Sequence, residues 1–305
     1  MNSGATGNFA MRINPNPLPD LLAALEQTQQ QINTDMQEIS TGQTVNSPSD
    51  NPAAAAMLVQ NANQTSQTDQ YLRSVESIQG EMQNADSTLS SVVTALQRAI
   101  SIGTEGANGT ENATDRQAIT VEVQGIQSQL VNLANLSYQG SYVFAGTATQ
   151  TAPYVLDATS PSGVKYVGNS NTDQIAVGDN LTVQTNLPGS ELFSSPGNDV
   201  FQALQDLITS LESGTGISSA VTEISNAYDY IDSQRVFYGN AMDQLNSQQT
   251  YLNSETTQLA QQQTNLSGTN LPASITSLES SETAEQATLE TISQTQQNNL
   301  FSYLK

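Results

Sequence analysis

Cysteine, histidine and tryptophan are all missing from this 305-residue chain. Without cysteine there is no disulfide framework, no thiolate nucleophile and no thiolate metal ligand. Without histidine, Ser-His-Asp catalysis, imidazole metal sites and imidazole acid–base chemistry fall away together. Basic residues are scarce as well. Seven lysines and arginines stand against 29 aspartates and glutamates, a formal net charge of -22. Such a surface repels phosphate backbones and anionic headgroups, so neither nucleic acid nor a membrane surface is expected as a partner. No run of about 18 apolar residues is present to span a bilayer. The opening MNSGATGNFA lacks the basic and apolar regions of a secretory signal, so an extracellular destination is expected to use another export route.

What the chain does have is helical periodicity. Ile217, Ile224, Ile231, Tyr238, Leu245, Leu252, Leu259 and Leu266 recur at intervals of seven. That spacing keeps one narrow stripe on one helix, which spans about 75 Å at roughly 1.5 Å per residue and needs other helices to cover it. A second long helix is expected to start in SPSDNPAAAA, with Asn51 as N-cap and Pro52 at the first helical position, and to run to about Ile102. Its stripe pairs Val75, Met82, Leu89 and Leu96 with Ile78, Ala85, Val92 and Ala99, the small residues allowing close approach. A turn over residues 103–113 and a capping box of Thr114 with Gln117 open a third helix, which carries Ile119, Val123, Ile126, Leu130 and Leu133 and ends at Gly140.

Between Ser141 and about Pro196 the period becomes two, with Tyr142/Phe144, Val164/Tyr166, Ile175/Val177 and Leu181/Val183 alternating between turn residues. Helical spacing resumes at Val200 with Leu204, Leu207, Ile208 and Leu211 and leads into the long helix. At the ends, Leu18, Leu22, Leu25, Ile32, Met36 and Ile39 form a stripe interrupted by Gln29. The last helix carries Leu271, Ile275, Leu278, Leu289, Ile292, Leu300 and Leu304, with Glu282 and Glu285 at expected apolar positions. Seams this imperfect are marginal in isolation and suit a pairing completed by other subunits.

The expected fold is mainly α with a β insertion: an elongated rod of long antiparallel helices, a small β domain at its distal side, and the two termini together. The segments are a disordered 1–16, terminal helices over 17–46 and 267–305, a helical rod over 47–140 and 197–266, and a β domain over 141–196. Paired carboxylates could suggest glycoside hydrolysis. Asp50, Asp115, Glu122, Glu279 and Glu282 instead sit at helix starts or on predicted exposed faces, where acids stabilise helix N-termini or face solvent. Neither catalysis nor a cofactor nor a metal is expected. Arg235 falls on the inward side of the longest helix, where an ion pair is open but an aliphatic stem covering the seam is favoured.

Several segments carry a resemblance to a known family: MRINPN (residues 11–16), ISTGQTVNSPSDNPAAAA (39–56), ANGTENATDRQAITVEV (107–123), LANLSYQGSYVFAGT (133–147) and the C-terminal TNLPASITSLESSETAEQATLETISQTQQNNLFSYL. Together they resemble the hook-associated protein 3 family of flagellar hook–filament junction proteins, relatives of flagellin. The 133–147 segment is the most telling, because flagellins usually differ there. Asn270 and Pro272 depart from the family pattern at the start of the last helix, and ten residues precede Met11. The resemblance implies a non-enzymatic axial protein, exported by the flagellar type III apparatus with a cytoplasmic chaperone. It further implies a ring joining the other hook-associated junction protein to flagellin, with terminal helices in the inner core. Flagellin itself, or a secreted adhesin using the β tip, are the alternative readings.

Overall fold

The structure is a computed structural model and describes residues 18–108 and 112–303, with side chains to residue 296. The expected disordered stretch 1–16 and the side chains of Leu300 and Leu304 lie outside the described residues. In chain order the elements are α1 (Leu18–Thr41), α2 (Pro52–Gly106), α3 (Ala113–Ala134), β1 (Ser137–Tyr138), β2 (Ser141–Tyr142), β3 (Tyr154–Leu156), β4 (Val164–Tyr166), β5 (Gln174–Gly178), β6 (Leu181–Gln184), α4 (Gly189–Leu192), α5 (Val200–Ser213), α6 (Ile217–Ser267) and α7 (Leu271–Tyr303). The fold is mainly α with a β insertion, and none of its described helices is long and apolar enough to cross a membrane.

Two compact units divide the chain: residues 1–65 with 258–305, and residues 66–257. Within the 66–257 unit, α2 and α6 run antiparallel. Gln97 meets Tyr228, Asp86 meets Arg235 and Gln79 meets Asn246 in successive cross-links. Both rows of the α2 stripe are buried from Val75 through Ala99, and so are Ile217, Ile224, Ile231, Tyr238, Leu245 and Leu252 on α6. Spacing of seven keeps each of these side chains on the shared seam turn after turn. On α3, Val123, Ile126 and Leu130 are buried while Ile119 is half-buried. That helix lies antiparallel to α5, with Arg116 Nε donating to the Leu211 carbonyl.

Local chemistry corrects several sequence expectations. The α3 N-cap is Asn112, whose Oδ1 accepts from the Thr114 and Asp115 amides while Asp115 reaches back to the Asn112 amide. The Thr114–Gln117 box does not form, because the asparagine two residues earlier reaches the free amides first. Helix α3 ends at Ala134, ahead of Gly140, which instead turns the β1–β2 hairpin at φ +85°. Phe144 follows β2 in a turn and is fully buried, so its apparent alternation with Tyr142 marks burial and no strand. Arg235 is more than a stem: its Nε and Nη2 contact both Asp86 oxygens at 2.9 and 3.2 Å, tying α6 to α2. Finally, Asp199 caps α5 and Gly214 (φ +73°) ends it, so α5 and α6 are separate helices.

Three two-stranded antiparallel sheets make up the β segment: β1–β2, β3–β4 and β5–β6. They share one core with the helices rather than forming their own. Tyr154 packs against Phe193 and Phe201 with ring centroids 5.9 and 5.0 Å away, and its hydroxyl donates to the Gly189 carbonyl at 2.7 Å. Burial pushes this phenol well above its ordinary pKa. The β5–β6 hairpin is held onto the helices by Gln248 donating to the Val177 carbonyl and Gln67 donating to Asp179.

The seam sets the stability of this unit. Leu89→Ala, at a fully buried position, is expected to cost about 2–5 kcal/mol in urea unfolding. Leu22→Ala, at an exposed position on α1, is expected to change it by less than about 0.5 kcal/mol.

Candidate assembly interface

The unit formed by residues 1–65 and 258–305 is built differently. Its turns are laced by backbone hydrogen bonds: Thr44 N to Ser267 O at 2.7 Å, and Thr269 N to Gly42 O at 3.1 Å. Gly42, at φ +69°, closes α1 with its amide on the Glu38 carbonyl. Helix α7 then runs antiparallel to α1. Glu38 Oε2 accepts from Thr269 Oγ1 and Ser274 Oγ, and further along Gln29 Nε2 donates to Glu285 Oε1 at 3.1 Å.

Inward positions on α1 are Leu18, Leu21, Leu25, Thr28, Ile32, Asp35 and Ile39; on α7 they are Ser274, Leu278, Ser281, Glu285, Thr288, Ile292 and Thr295. Both sets step by alternating threes and fours, a coiled-coil seam. Half of its members are polar or small.

Among the described residues of this unit, the buried apolar side chains are Ile32, Ala54 and Leu259, against Asp35, Asn61, Ser267 and Ser274 as buried polar ones. The continuous hydrophobic core, from Val75 to Leu252, includes none of them. Asn61 is satisfied, its Nδ2 donating to the Leu259 carbonyl at 3.1 Å. Asp35 is not. It is 3% exposed, with Oδ1 accepting from Gln31 and Oδ2 buried with no partner among the described residues. A half-satisfied carboxylate in a seam weakens the pairing while penalising other registers.

The terminal stripe expected from sequence divides. Leu18, Leu25, Ile32 and Ile39 turn inward, as do Leu278 and Ile292. Leu22 and Met36 are each 50% exposed, and Leu271, Ile275 and Leu289 are 44%, 45% and 48% exposed. Sequence reading missed Leu21, Thr28 and Asp35 on the seam; their step of three and four was visible, but only one of them is apolar. Charge is one-sided here. Residues 18–65 and 258–303 carry nine carboxylates (Asp20, Glu26, Asp35, Glu38, Asp50, Glu279, Glu282, Glu285 and Glu290) and no lysine or arginine.

The carboxylates weighed for catalysis are engaged locally. Asp50 accepts from the Asn46 and Ser47 amides, Asp115 belongs to the α3 cap, and Glu122 pairs with Arg98 at 2.6 Å. Glu279 and Glu282 face solvent. Burial, and secondarily the Asp173 carboxylate, raises the pKa of Glu81. Burial also raises that of Asp199, whose carboxylate is the α5 cap. No group of three or more acidic side chains suited to a metal occurs among the described residues.

Residues 19–149 match the bacterial flagellin N-terminal helical region, a stretch that takes in α1, α2, α3 and the first hairpin. Flagellar hook-associated protein 3 of Escherichia coli (strain K12) is 33% identical over 160 residues, 52% of this chain and 49% of that protein. The Salmonella typhimurium protein of the same name is 37% identical over 119 residues, 39% of this chain and 38% of that one. Over these stretches this chain is similar to flagellar hook-associated protein 3. The matches span about half or less of those relatives' length. The fold has a counterpart in a solved hook-associated protein 3 from Legionella pneumophila, with TM-score 0.62 at 16% identity over 70% of this chain and 98% of that one. The α1 half of the polar seam lies inside the flagellin-type region, and α7 lies outside it.

Asp35→Leu removes the unpartnered oxygen and adds an apolar contact. The expected outcome is an α1–α7 pair stabilised by about 1 kcal/mol or more, read as slower amide exchange and slower proteolysis of both helices. Exchange that is unchanged or faster contradicts this account of the seam.

Proposed function

We propose that this chain is a structural subunit of the bacterial flagellum acting at the hook–filament junction, whose terminal unit reaches its final order only against other axial subunits. The observation that carries the reading is the contrast between the two units. The 66–257 unit holds the whole continuous core. The terminal unit pairs α1 and α7 through a seam with a buried half-satisfied carboxylate, and these two helices leave five large apolar side chains exposed. A pairing this weak can be exported unfolded and then completed from outside, whereas a self-sufficient core would resist both steps. Similarity to hook-associated protein 3 supports the same place in the flagellum.

In this reading the helices over 17–46 and 267–305 form the inner core of the axial structure. The helical segments 47–140 and 197–266 act as a rod, and residues 141–196 form its β part. The partners are further copies in a ring, the other hook-associated junction protein, flagellin, and an export chaperone in the cytoplasm. The protein acts outside the cell as a structural element without catalysis.

Two experiments test this. Cells deleted for the gene should carry hooks without filaments and lose flagellin to the medium; filaments of normal length in the deletion strain refute the junction role. If purified protein alone instead grows long filaments, the flagellin reading replaces it. A second expectation follows from the net charge of -22. Association between copies should strengthen from low to moderate salt as screening weakens their repulsion. Sedimentation showing a steady decline with salt would contradict it.

A further inference from the structure

We propose that the outer face of α3 pairs two copies of this chain about a twofold axis, an antiparallel contact made within the 66–257 unit and separate from the terminal helices. Val121, Gly125, Ser128 and Asn132 are spaced by four, three and four, and all are exposed. They form one ridge along α3. Val121 is its knob, 64% exposed. A Cβ added at Gly125 would meet no atom within 4 Å, whereas each glycine of α2 is covered: Gly80 by Tyr138, Gly103 by Leu207 and Gly106 by Leu211. Glycine inside a helix is less favourable than alanine. One that its own chain leaves open is suited to the close approach of another helix.

The α5 side of this ridge carries a groove at one end and a projection at the other. The groove, of about 480 Å3, lies between Arg116, Gln117 and Thr120 of α3 and Leu211 and Glu212 of α5. The projection is Leu156, 74% exposed on β3. The Asn135 side chain holds the Tyr154 amide and carbonyl at 2.8 Å each, and Gln127 Nε2 donates to the Ser162 carbonyl at 3.1 Å. Strand β3 therefore runs beside the second half of α3, with Leu156 between the levels of residues 127 and 135. Gly163, on the same hairpin, lies between Gln127 and Gln205 of α5. Hairpin and groove are thus on one side of α3.

An axis across α3, midway between Val121 and Gly125, sets the two helices antiparallel, keeps their α5 sides together and exchanges the ends. Val121 of each copy then meets Gly125 of the other. Leu156 of each enters the other's groove, since the level of Arg116 comes opposite that of Leu130. Charge admits a second copy here. No acidic or basic residue occurs between Glu122 and Asp157, and Glu122 is paired with Arg98. The groove itself holds one cation and one anion, Arg116 and Glu212. On a chain of net charge -22, this neutral strip lets like molecules meet without setting one acidic face against another. Its amides, Gln124 and Asn132, both donate and accept, as a surface that matches itself requires. Such a contact is isologous and closes at two copies, so it is distinct from a ring and does not depend on the junction reading.

Sedimentation equilibrium of the full-length chain at moderate salt tests this, with a monomer–dimer equilibrium expected. Gly125→Leu should abolish the dimer without lowering the urea midpoint, because within one copy the added side chain meets open space. Leu156→Ser should weaken the dimer about tenfold or more. Gly239→Leu, at the open glycine of α6, should leave it unchanged. A chain that stays monomeric at every concentration overturns the proposal, and so does a dimer indifferent to both Gly125→Leu and Leu156→Ser. Loss of the dimer in Gly239→Leu alone assigns the contact to α6 and overturns it equally. None of these results touches the junction reading, which the deletion strain decides.

Discussion

Between Val75 and Ile102 on α2, and Ile217 and Leu252 on α6, two antiparallel helices bury a side chain at nearly every inward turn. This seam is the constraint on which the 66–257 unit depends. A helix of 55 residues and another of 51 have too little intrinsic propensity to persist alone in water, since most helical stability comes from a covered apolar face. Everything else in the unit is arranged around the covered stripe. Helices α3 and α5 close over its α2 side, where Gly103 and Gly106 leave room for Leu207 and Leu211 to pack close. The β5–β6 hairpin is pinned to the same two helices by amide side chains. With so few cations available, the bidentate ion pair of Arg235 with Asp86 fixes the register of α6 on α2 at one level.

The same two helices carry that logic only part of the way along their length. On α2 the inward residues before Val75 include Ala54, Asn61, Thr65 and Thr68. On α6 the positions between the leucines become Gln248, Glu255 and Gln262. Asn61 illustrates the change in chemistry, since it meets the partner helix through a hydrogen bond to a main-chain carbonyl rather than by excluding water. Such a contact contributes about 0.5–1.5 kcal/mol net, less than a fully buried leucine. Apolar content thus falls where the chain enters the unit that contains both terminal helices, and with it falls the ability of that unit to hold itself together. Local opening in such a region is cheap, which suits the assembling role proposed for this end.

How much of this was legible in the sequence depended on which residues carried each seam. Isoleucine, leucine and valine at intervals of seven announced α2 and α6, and the residues placed there from periodicity are buried, apart from half-buried Leu266. The α1–α7 seam was misread by one position. Reading apolar residues alone placed Leu22 and Met36 inside, whereas the inward steps are Leu21, Thr28 and Asp35. No periodicity of hydrophobic residues can find an aspartate that faces inward. The cap of α3 was misassigned for a related reason: Asn112 and Asp115 compete with Thr114 and Gln117 for the same free amides, and only the backbone path decides between them. Arg235 was placed on the correct side of α6, but its partner Asp86 lies 149 residues away and left no local signal.

Threonine changes what the terminal helices present to a neighbour. On α7, the hydroxyls of Thr276, Thr283, Thr288, Thr291 and Thr295 each bond the carbonyl four residues earlier, and Thr28, Thr34 and Thr41 do the same on α1. A hydroxyl turned back onto its own helix no longer seeks a partner outside, and its methyl group is left facing away from that carbonyl. A composition that reads as polar therefore yields a helix surface with fewer free donors and more hydrocarbon than its letters suggest. Together with the exposed leucines, this gives the α1–α7 pair a surface that costs little to desolvate while its carboxylates still reject like-charged neighbours. Desolvation sets how tightly such a surface can be covered, and charge sets what may cover it.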